Sequence, residues 1–150
     1  MRSNTRKIYL VLSRTNARSS SYYCAEFQEI KMSIRVLIVD DSRQMRELIK
    51  MTLAGVADVV GECADGADAL SCYEETRPDW VLMDWEMRTD GLTATRRIVK
   101  AHPEVRILIV TQHDDEELRD AAIEAGAHGF VLKDDLLALN SFLLLLSSSS

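Results

Sequence analysis

The chain of 150 residues is long enough for one domain with a substantial buried core. Its 47% hydrophobic and 28% charged residues are ordinary for a globular protein, and no apolar run approaches the length that would cross a bilayer. The formal net charge of −6 argues against general nucleic-acid binding, which requires a basic face.

The first 32 residues differ in charge from the rest of the chain. They contain six Lys/Arg and two Asp/Glu, whereas the remainder contains twelve and twenty-two. The apolar run at 8–12 is too short for a signal-peptide core, and polar, unpatterned sequence follows it. We therefore expect residues 1–32 to be a disordered or non-native extension, with a functional basic arm as the alternative.

The cysteines indicate a reducing compartment. Cys24, Cys63 and Cys72 form an odd set without a CxxC or Cys/His spacing. Neither a disulfide framework nor a zinc site is therefore supported. A cytoplasmic location is the expectation.

The first predicted strand, Ile34–Val39, is almost wholly apolar and ends at two adjacent acids, Asp40 and Asp41. Such a run is typical of a strand that is buried on both faces of a parallel sheet. Ligands of open α/β sheets bind beyond the carboxyl ends of the strands, so the two acids stand where a cation could be held. The alternative is that Asp41 or Ser42 only caps the following helix.

From this strand onward, strand-like and helix-like segments alternate. Further strands are predicted at Asp58–Cys63, Trp80–Asp84, Val105–Val110 and His128–Leu132. Helices are predicted at Arg43–Leu53, Ala67–Thr76 and Leu92–Ala101, between the acids at 114–117 and Gly126, and from Asp134 or Asp135 onward. The apolar stripe of the first helix consists of Met45, Leu48, Ile49 and Thr52. Five strands alternating with five helices predict an α/β fold with a doubly wound parallel sheet.

Polar residues stand at the carboxyl ends of four of these strands. They are Asp40, Asp41, Asp84, Thr111 and Lys133. In a doubly wound sheet these ends converge on one crevice. Three carboxylates together are costly unless a divalent cation lies among them, and Mg²⁺ favours carboxylates together with phosphate oxygens. A hydroxyl and an ammonium suit the other oxygens of a phosphoryl group, although each residue alone could serve a turn or reach solvent.

The segments that carry these residues resemble a known family. They are Val39–Ser42, Met83–Met87, Val110–Thr111 and Gly126–Lys133. In this order and spacing, residues 33–139 are similar to the receiver domain of bacterial two-component response regulators. The resemblance implies a flavodoxin-like sheet with strand order 2-1-3-4-5. The segment Lys133–Leu137 resembles the branch of the family that is attached to LuxR-type helix-turn-helix outputs.

By this resemblance, Asp84 accepts a phosphoryl group from a sensor histidine kinase. Mg²⁺ is the implied cofactor, bound directly by Asp41, Asp84 and the main-chain carbonyl of Glu86, with Asp40 acting mostly through water. The protein is then a signalling switch and not mainly an enzyme.

The resemblance also assigns the remaining residues of the site. Lys133 neutralises phosphoryl oxygens, and Thr111 hydrogen-bonds the phosphoryl group. Phe130 matches the family's switch aromatic, which moves inward behind the threonine and alters the face of the fourth helix and fifth strand. The alternative for Phe130 is an ordinary core aromatic.

The sequence departs from the family pattern near the site. The departures are Arg88 and Asp134, each in place of a usual proline, Gln112 in place of a common alanine, and a loop at 84–91 that is one residue shorter. By the same resemblance, Glu86 and His113 occupy the two positions that flank the site in the family and tune how fast the phosphoryl group is lost. One alternative is therefore a receiver that signals by partner binding without phosphorylation. Another is a small phosphohydrolase with an aspartyl nucleophile and Glu86 as its general acid.

The predicted domain limits are a receiver domain at 33–146 and a Ser tail at 147–150. The apolar run Phe142–Leu146 predicts a last helix that needs a partner surface. One expected partner is a second copy of this chain, bound through this helix or through the 4-5-5 face (fourth helix, fifth strand and fifth helix). The other is a DNA-binding output domain that is missing here. This chain itself is expected to contact neither a membrane nor nucleic acid.

Overall fold

Alternating strands and helices make up residues 33–147, which are the residues that the structure, a computed structural model, describes. The strands are β1 (Ile34–Val39), β2 (Ala57–Cys63), β3 (Trp80–Asp84), β4 (Ile107–Thr111) and β5 (Gly129–Leu132). The helices are α1 (Arg43–Leu53), α2 (Ala69–Thr76), α3 (Gly91–Ala101), α4 (Glu116–Ala125) and α5 (Leu137–Ser147), with a 3-10 turn at Lys133–Asp135. The predicted extension at 1–32 and residues 148–150 of the predicted Ser tail lie outside the described residues.

All strands of this sheet are parallel and follow the order β2-β1-β3-β4-β5, so the predicted fold class and strand order are confirmed. Val39 pairs with Met83, which means that β1 and β3 end side by side. On the other side of β3, Asp84 pairs with Val110 of β4. The register therefore brings the polar residues that follow or end these strands to one edge of the sheet.

Helices cover the sheet on both sides, and this explains the continuous apolar runs of the inner strands. Alternate side chains of a strand point to opposite faces. On one face they pack against α1 and α5, and on the other against α2, α3 and α4. Every residue of β3 and β4 is buried, as expected for a parallel sheet between two helical layers. Within residues 33–147, no helix combines the length and apolar character that a bilayer crossing requires.

The predicted apolar stripe of α1 is wrong at one position. Ile49 and Leu53 are 1% and 0% exposed, whereas Leu48 is 46% exposed. Ile49 and Leu53 lie one turn apart and define the face that meets the sheet, while Leu48 is rotated about 100° from Ile49 around the helix axis. Met45 and Thr52 border this face and are half-buried.

Several predicted limits of helices and strands also differ from the structure. α2 begins at Ala69 because a turn precedes it, in which the amide of Asp68 donates to the carbonyl of Asp65 at 3.2 Å. Thr111 is the last residue of β4 and does not lie beyond it. The other shifted starts are those of β2 at Ala57, α3 at Gly91, β4 at Ile107, β5 at Gly129 and α5 at Leu137.

Leu53→Ala and Leu48→Ala form a matched pair that tests the orientation of α1. We expect Leu53→Ala to lower the free energy of unfolding by about 2–5 kcal/mol, because it leaves a cavity between α1 and the sheet. Leu48→Ala removes the same atoms from a half-exposed site and should cost less than about 1 kcal/mol. Urea denaturation of both variants measures the difference, and equal losses would contradict this orientation.

Candidate functional site

Three carboxylates meet where β1 and β3 end. Asp40, Asp41 and Asp84 each place one oxygen within 4.8 Å of the other two. Asp40 and Asp84 are only 1% and 3% exposed, while Asp41 is exposed. The amide of Asp40 donates to the carbonyl of Cys63 at 3.1 Å, which continues the alignment of β1 with β2 up to the acid. Two members of the cluster are therefore buried, and the third is open to solvent.

Helix capping does not account for this cluster. The N-cap of α1 is Ser42, whose side chain accepts a hydrogen bond from the amide of Met45 at 3.2 Å. The amide of Ser42 in turn donates to Oδ1 of Asp40 at 2.8 Å. Asp41 has no part in this cap. Helix capping therefore accounts for the position of Ser42 but not for that of Asp41.

Lys133 joins the cluster from the end of β5. Its Nζ lies 2.9 Å from Oδ2 of Asp40 and 3.0 Å from Oδ1 of Asp84. Its side chain is 8% exposed, so one buried ammonium faces two buried carboxylates. Oδ2 of Asp40 is buried and, despite the nearby Nζ, accepts no well-aligned hydrogen bond from the described part of the chain. The cluster thus retains negative charge and an oxygen with unused acceptor capacity.

The electrostatics of the cluster follow from its burial. Burial raises the pKa of Asp84 to about 6, and the neighbouring Asp40 carboxylate adds to this effect, although Lys133 opposes it. Burial alone would lower the pKa of Lys133, but its contacts with Asp40 and Asp84 outweigh burial and raise that pKa. The pKa of Asp84 is thus raised mainly by burial, and that of Lys133 by its two carboxylate partners.

The cluster fits a magnesium ion. Its donors are all oxygen atoms, which is the donor set that Mg²⁺ prefers. The residues that could hold the ion are Asp41 and Asp84, with Asp40 and its under-used Oδ2 behind them. Glu86 lies in the loop after β3, where its amide donates to Oδ1 of Asp84 at 3.3 Å. This bond keeps the main chain of Glu86 next to the cluster, as the predicted carbonyl ligand requires.

Thr111 and Phe130 lie on the adjoining strands. Thr111 is fully buried at the end of β4, one residue beyond the β-sheet partner of Asp84. Its Oγ1 accepts a hydrogen bond from the amide of His113 at 3.3 Å. Phe130 pairs with Ile109 and is half-buried, and the guanidinium of Arg119 lies 5.6 Å from the centre of its ring. Phe130 is thus packed between the core and a charged side chain of α4.

Two contacts of the site were not predicted from the sequence. The side chains of Glu86 and His113 pair at 2.6 Å, so they link the loop after β3 to the loop after β4. Arg46 donates to the main-chain carbonyl of Asp40 at 2.7 Å and also pairs with Glu62 at 3.1 Å. The contact of Arg46 could have been predicted, because a basic residue stands one turn into the helix that follows Asp40. The resemblance placed Glu86 and His113 at the site, but it did not indicate that their side chains pair.

The loop that follows Asp84 closes tightly on itself at Gly91. The amide of Gly91 donates to the carbonyl of Trp85 at 3.0 Å. A Cβ atom at Gly91 would lie 2.0 Å from the main-chain oxygen of Asp84, far inside contact distance. Glycine is therefore required here by space, because any side chain would displace the main chain of Asp84.

Comparison with known proteins gives a consistent assignment. A family model described as the response regulator receiver domain matches residues 36–140. The transcriptional regulatory protein DegU of Brevibacillus brevis is 36% identical over 104 residues, which cover 67% of this chain and 44% of that protein. The chemotaxis protein CheY of Thermotoga maritima is 38% identical over 105 residues, which cover 68% of this chain and 87% of that protein.

A solved structure extends this likeness to the fold. The structure of a LuxR-family two-component response regulator from Aurantimonas sp. SI85-9A1 has a TM-score of 0.71 and 35% sequence identity. The match covers 78% of this chain and 87% of that one. This chain spans about half the length of several transcriptional regulators that it matches.

Asp84→Asn tests the electrostatic cost of the cluster in metal-free protein. The pKa of Asp84 in the folded protein, about 6, lies above its ordinary value of 3.8, so folding favours the protonated acid. The contribution of this group to the free energy of unfolding is therefore present below about pH 4 and is lost as the pH rises through about 6. The Asn variant escapes that loss and should be more stable than the parent by on the order of 2 kcal/mol near pH 7.

Urea unfolding in EDTA at several pH values measures this difference. It should close as the pH falls below about 4, where the parent carboxyl is protonated in both states. Leu48→Ala serves as a control whose effect should not depend on pH. A difference between Asp84→Asn and the parent that stays constant over this range would contradict the assignment.

Proposed function

Because the chain belongs to the response regulator receiver domain family of two-component systems, we propose that Asp84 accepts a phosphoryl group from a sensor histidine kinase and thereby switches the domain. The observation that supports this most is the cluster itself, in which buried Asp84 lies against Lys133 and beside two further carboxylates. A single strand-end acid could be a turn residue. This combination has more charge than a turn requires.

The proposed chemistry assigns a role to each side chain of the cluster. The ionised carboxylate of Asp84 attacks phosphorus, an acyl phosphate forms, and the donor leaves with the electrons of the broken bond. Mg²⁺, when bound, supplies positive charge for the phosphoryl oxygens. Lys133, already 3.0 Å from Asp84, supplies a second positive charge from the opposite side. Asp40 holds Lys133 in this position through its contact of 2.9 Å.

The proposed switch uses the hydroxyl of Thr111. This hydroxyl now accepts from the amide of His113, so it fixes the start of the loop between β4 and α4. A phosphoryl group on Asp84 offers the hydroxyl a strong acceptor, and the loop would move with it. Phe130 would follow on the adjacent strand and change the surface between α4 and β5. In this structure its ring is half-buried and lies against Arg119 of α4.

The proposed partners follow from the family and from the length of the chain. The chain spans about half the length of several transcriptional regulators that it matches, so an output domain that binds DNA is proposed for the whole protein. Self-association is proposed through the 4-5-5 face or through α5, which exposes Leu137, Leu145 and Leu146. We place the domain in the cytoplasm, as a signalling module and not mainly an enzyme.

The structure bears on the phosphohydrolase alternative. That alternative needs the carboxyl of Glu86 as a free general acid. The carboxylate of Glu86 is instead engaged by His113 at 2.6 Å. Signalling without phosphorylation is a further alternative, and the experiment below separates it from the proposal.

Incubation with acetyl phosphate and Mg²⁺, followed by intact mass measurement, tests the proposed phosphoacceptor. We expect the parent protein to gain one phosphoryl group, because the ionised Asp84 is positioned beside two sources of positive charge. Asp84→Ala and the parent in EDTA should gain none. Absence of any gain in the parent, both here and with a cognate kinase, would favour signalling by partner binding alone.

Thr111→Val and Thr111→Ser test the proposed switch separately from phosphorylation. Both variants keep Asp84 and should gain the phosphoryl group. In the parent and in Thr111→Ser, phosphorylation should change amide hydrogen exchange at 112–118 and 129–132, because the hydroxyl couples these segments to the site. Thr111→Val has no hydroxyl and should lose this response. A normal response in Thr111→Val would show that the hydroxyl is not the coupling element.

A further inference from the structure

Asp65 lies outside the carboxylate cluster but contacts the loop that follows Asp84. It stands in the turn between β2 and α2. Its Oδ1 accepts from the amide of Ala67 at 2.8 Å, and its Oδ2 accepts from the amide of Thr89 at 3.4 Å. Hydrogen bonds from Ala67 and from both the hydroxyl and the amide of Thr89 lower the pKa of Asp65. The carboxylate therefore connects two loops that are 24 residues apart.

Gly66 adds a second contact between the same two loops. Gly66 is buried, and a Cβ atom there would lie 2.5 Å from the main-chain oxygen of Thr89 and 3.0 Å from Cβ of Ala94. The two backbones thus approach as closely as glycine permits. Asp65 and Gly66 together form a support, here called the 65–66 shelf, against which Thr89 rests.

The supported loop is short and contains no proline. It runs from Trp85 to Asp90 and is closed at its far end by the hydrogen bond from Gly91 to Trp85. Glu86 lies three residues before Thr89 and bonds Asp84 through its amide. Only two residues separate Thr89 from Glu86, so we expect a displacement of Thr89 to displace the main chain of Glu86 as well.

We infer that Asp65 is a positioning residue for the cation site, acting through Thr89 on the loop that presents the main-chain carbonyl of Glu86. This inference rests on the proposed function, since that function supplies the cation. Asp65 touches neither the cation nor the phosphoryl group. It holds one ligand of the cation at its place, as outer-shell partners of metal ligands commonly do.

The test is a titration of the full chain with Mg²⁺, followed by Trp85 fluorescence. We expect Asp65→Ala to raise the dissociation constant by about tenfold, at the low end of the effects of outer-shell changes. Thr89→Val, which loses only the hydroxyl donor, should raise it by a smaller factor. The double variant should match Asp65→Ala, because both changes break one connection. Asp68→Asn is the control, since Asp68 is an exposed acid of the same turn without a side-chain cap bond.

A second measurement requires no cation. In EDTA, Asp65→Ala should increase amide hydrogen exchange at 85–91 but not in β4 or α4, because only the supported loop loses its contact. Parent-like Mg²⁺ affinity in Asp65→Ala, an equal loss in Asp68→Asn, or additive losses in the double variant would each overturn the inference. If the parent itself bound no Mg²⁺, the proposed function would fail. Unchanged exchange at 85–91 in Asp65→Ala would then overturn the positioning role independently.

Discussion

Two buried carboxylates beside a single ammonium are the constraint on which the rest of this structure depends. Asp40 and Asp84 are almost completely removed from water, and within the described residues Lys133 is the one ammonium that pairs with both. Buried charges are costly when they are incompletely paired. The parallel strand order β1-β3-β4-β5 brings these three residues together, although they are far apart in the chain. The fold thus maintains an arrangement that the site alone would disfavour.

The stability that offsets this cost comes from the two apolar layers. Both faces of β1, β3 and β4 are covered by helices, and the central strands expose almost no apolar area. Burial of apolar area on this scale can support a few unfavourable electrostatic interactions at the strand ends. The unfavourable interactions lie at Asp84, the proposed phosphoacceptor. A locally unfavourable arrangement of charges at one edge of an otherwise stable fold is a common sign of a functional site.

The sequence predicted the sheet and the cluster well because both follow from local patterns. Apolar runs that stop at acids mark the strands, and parallel pairing brings their ends together. The orientation of α1 was predicted less accurately. Leu48 was assigned to the buried face, whereas that face is centred on Ile49 and Leu53. The contacts of Glu86 with His113 and of Asp65 with Thr89 join loops 27 and 24 residues apart. No periodic pattern records such pairs, because they depend on the path of each loop in three dimensions.

Gly91 shows how a residue without a functional atom can become irreplaceable. Its backbone lies against the main-chain oxygen of Asp84, so the space for a side chain is already occupied. During evolution, a missense change at this codon would act on the proposed phosphoacceptor as directly as a change at Asp84 itself. Descendants of this gene should therefore tolerate variation at exposed Arg88 in the preceding loop far better than at Gly91. The lack of space for a side chain, and not a chemical role of the residue, would limit the substitutions inherited at Gly91.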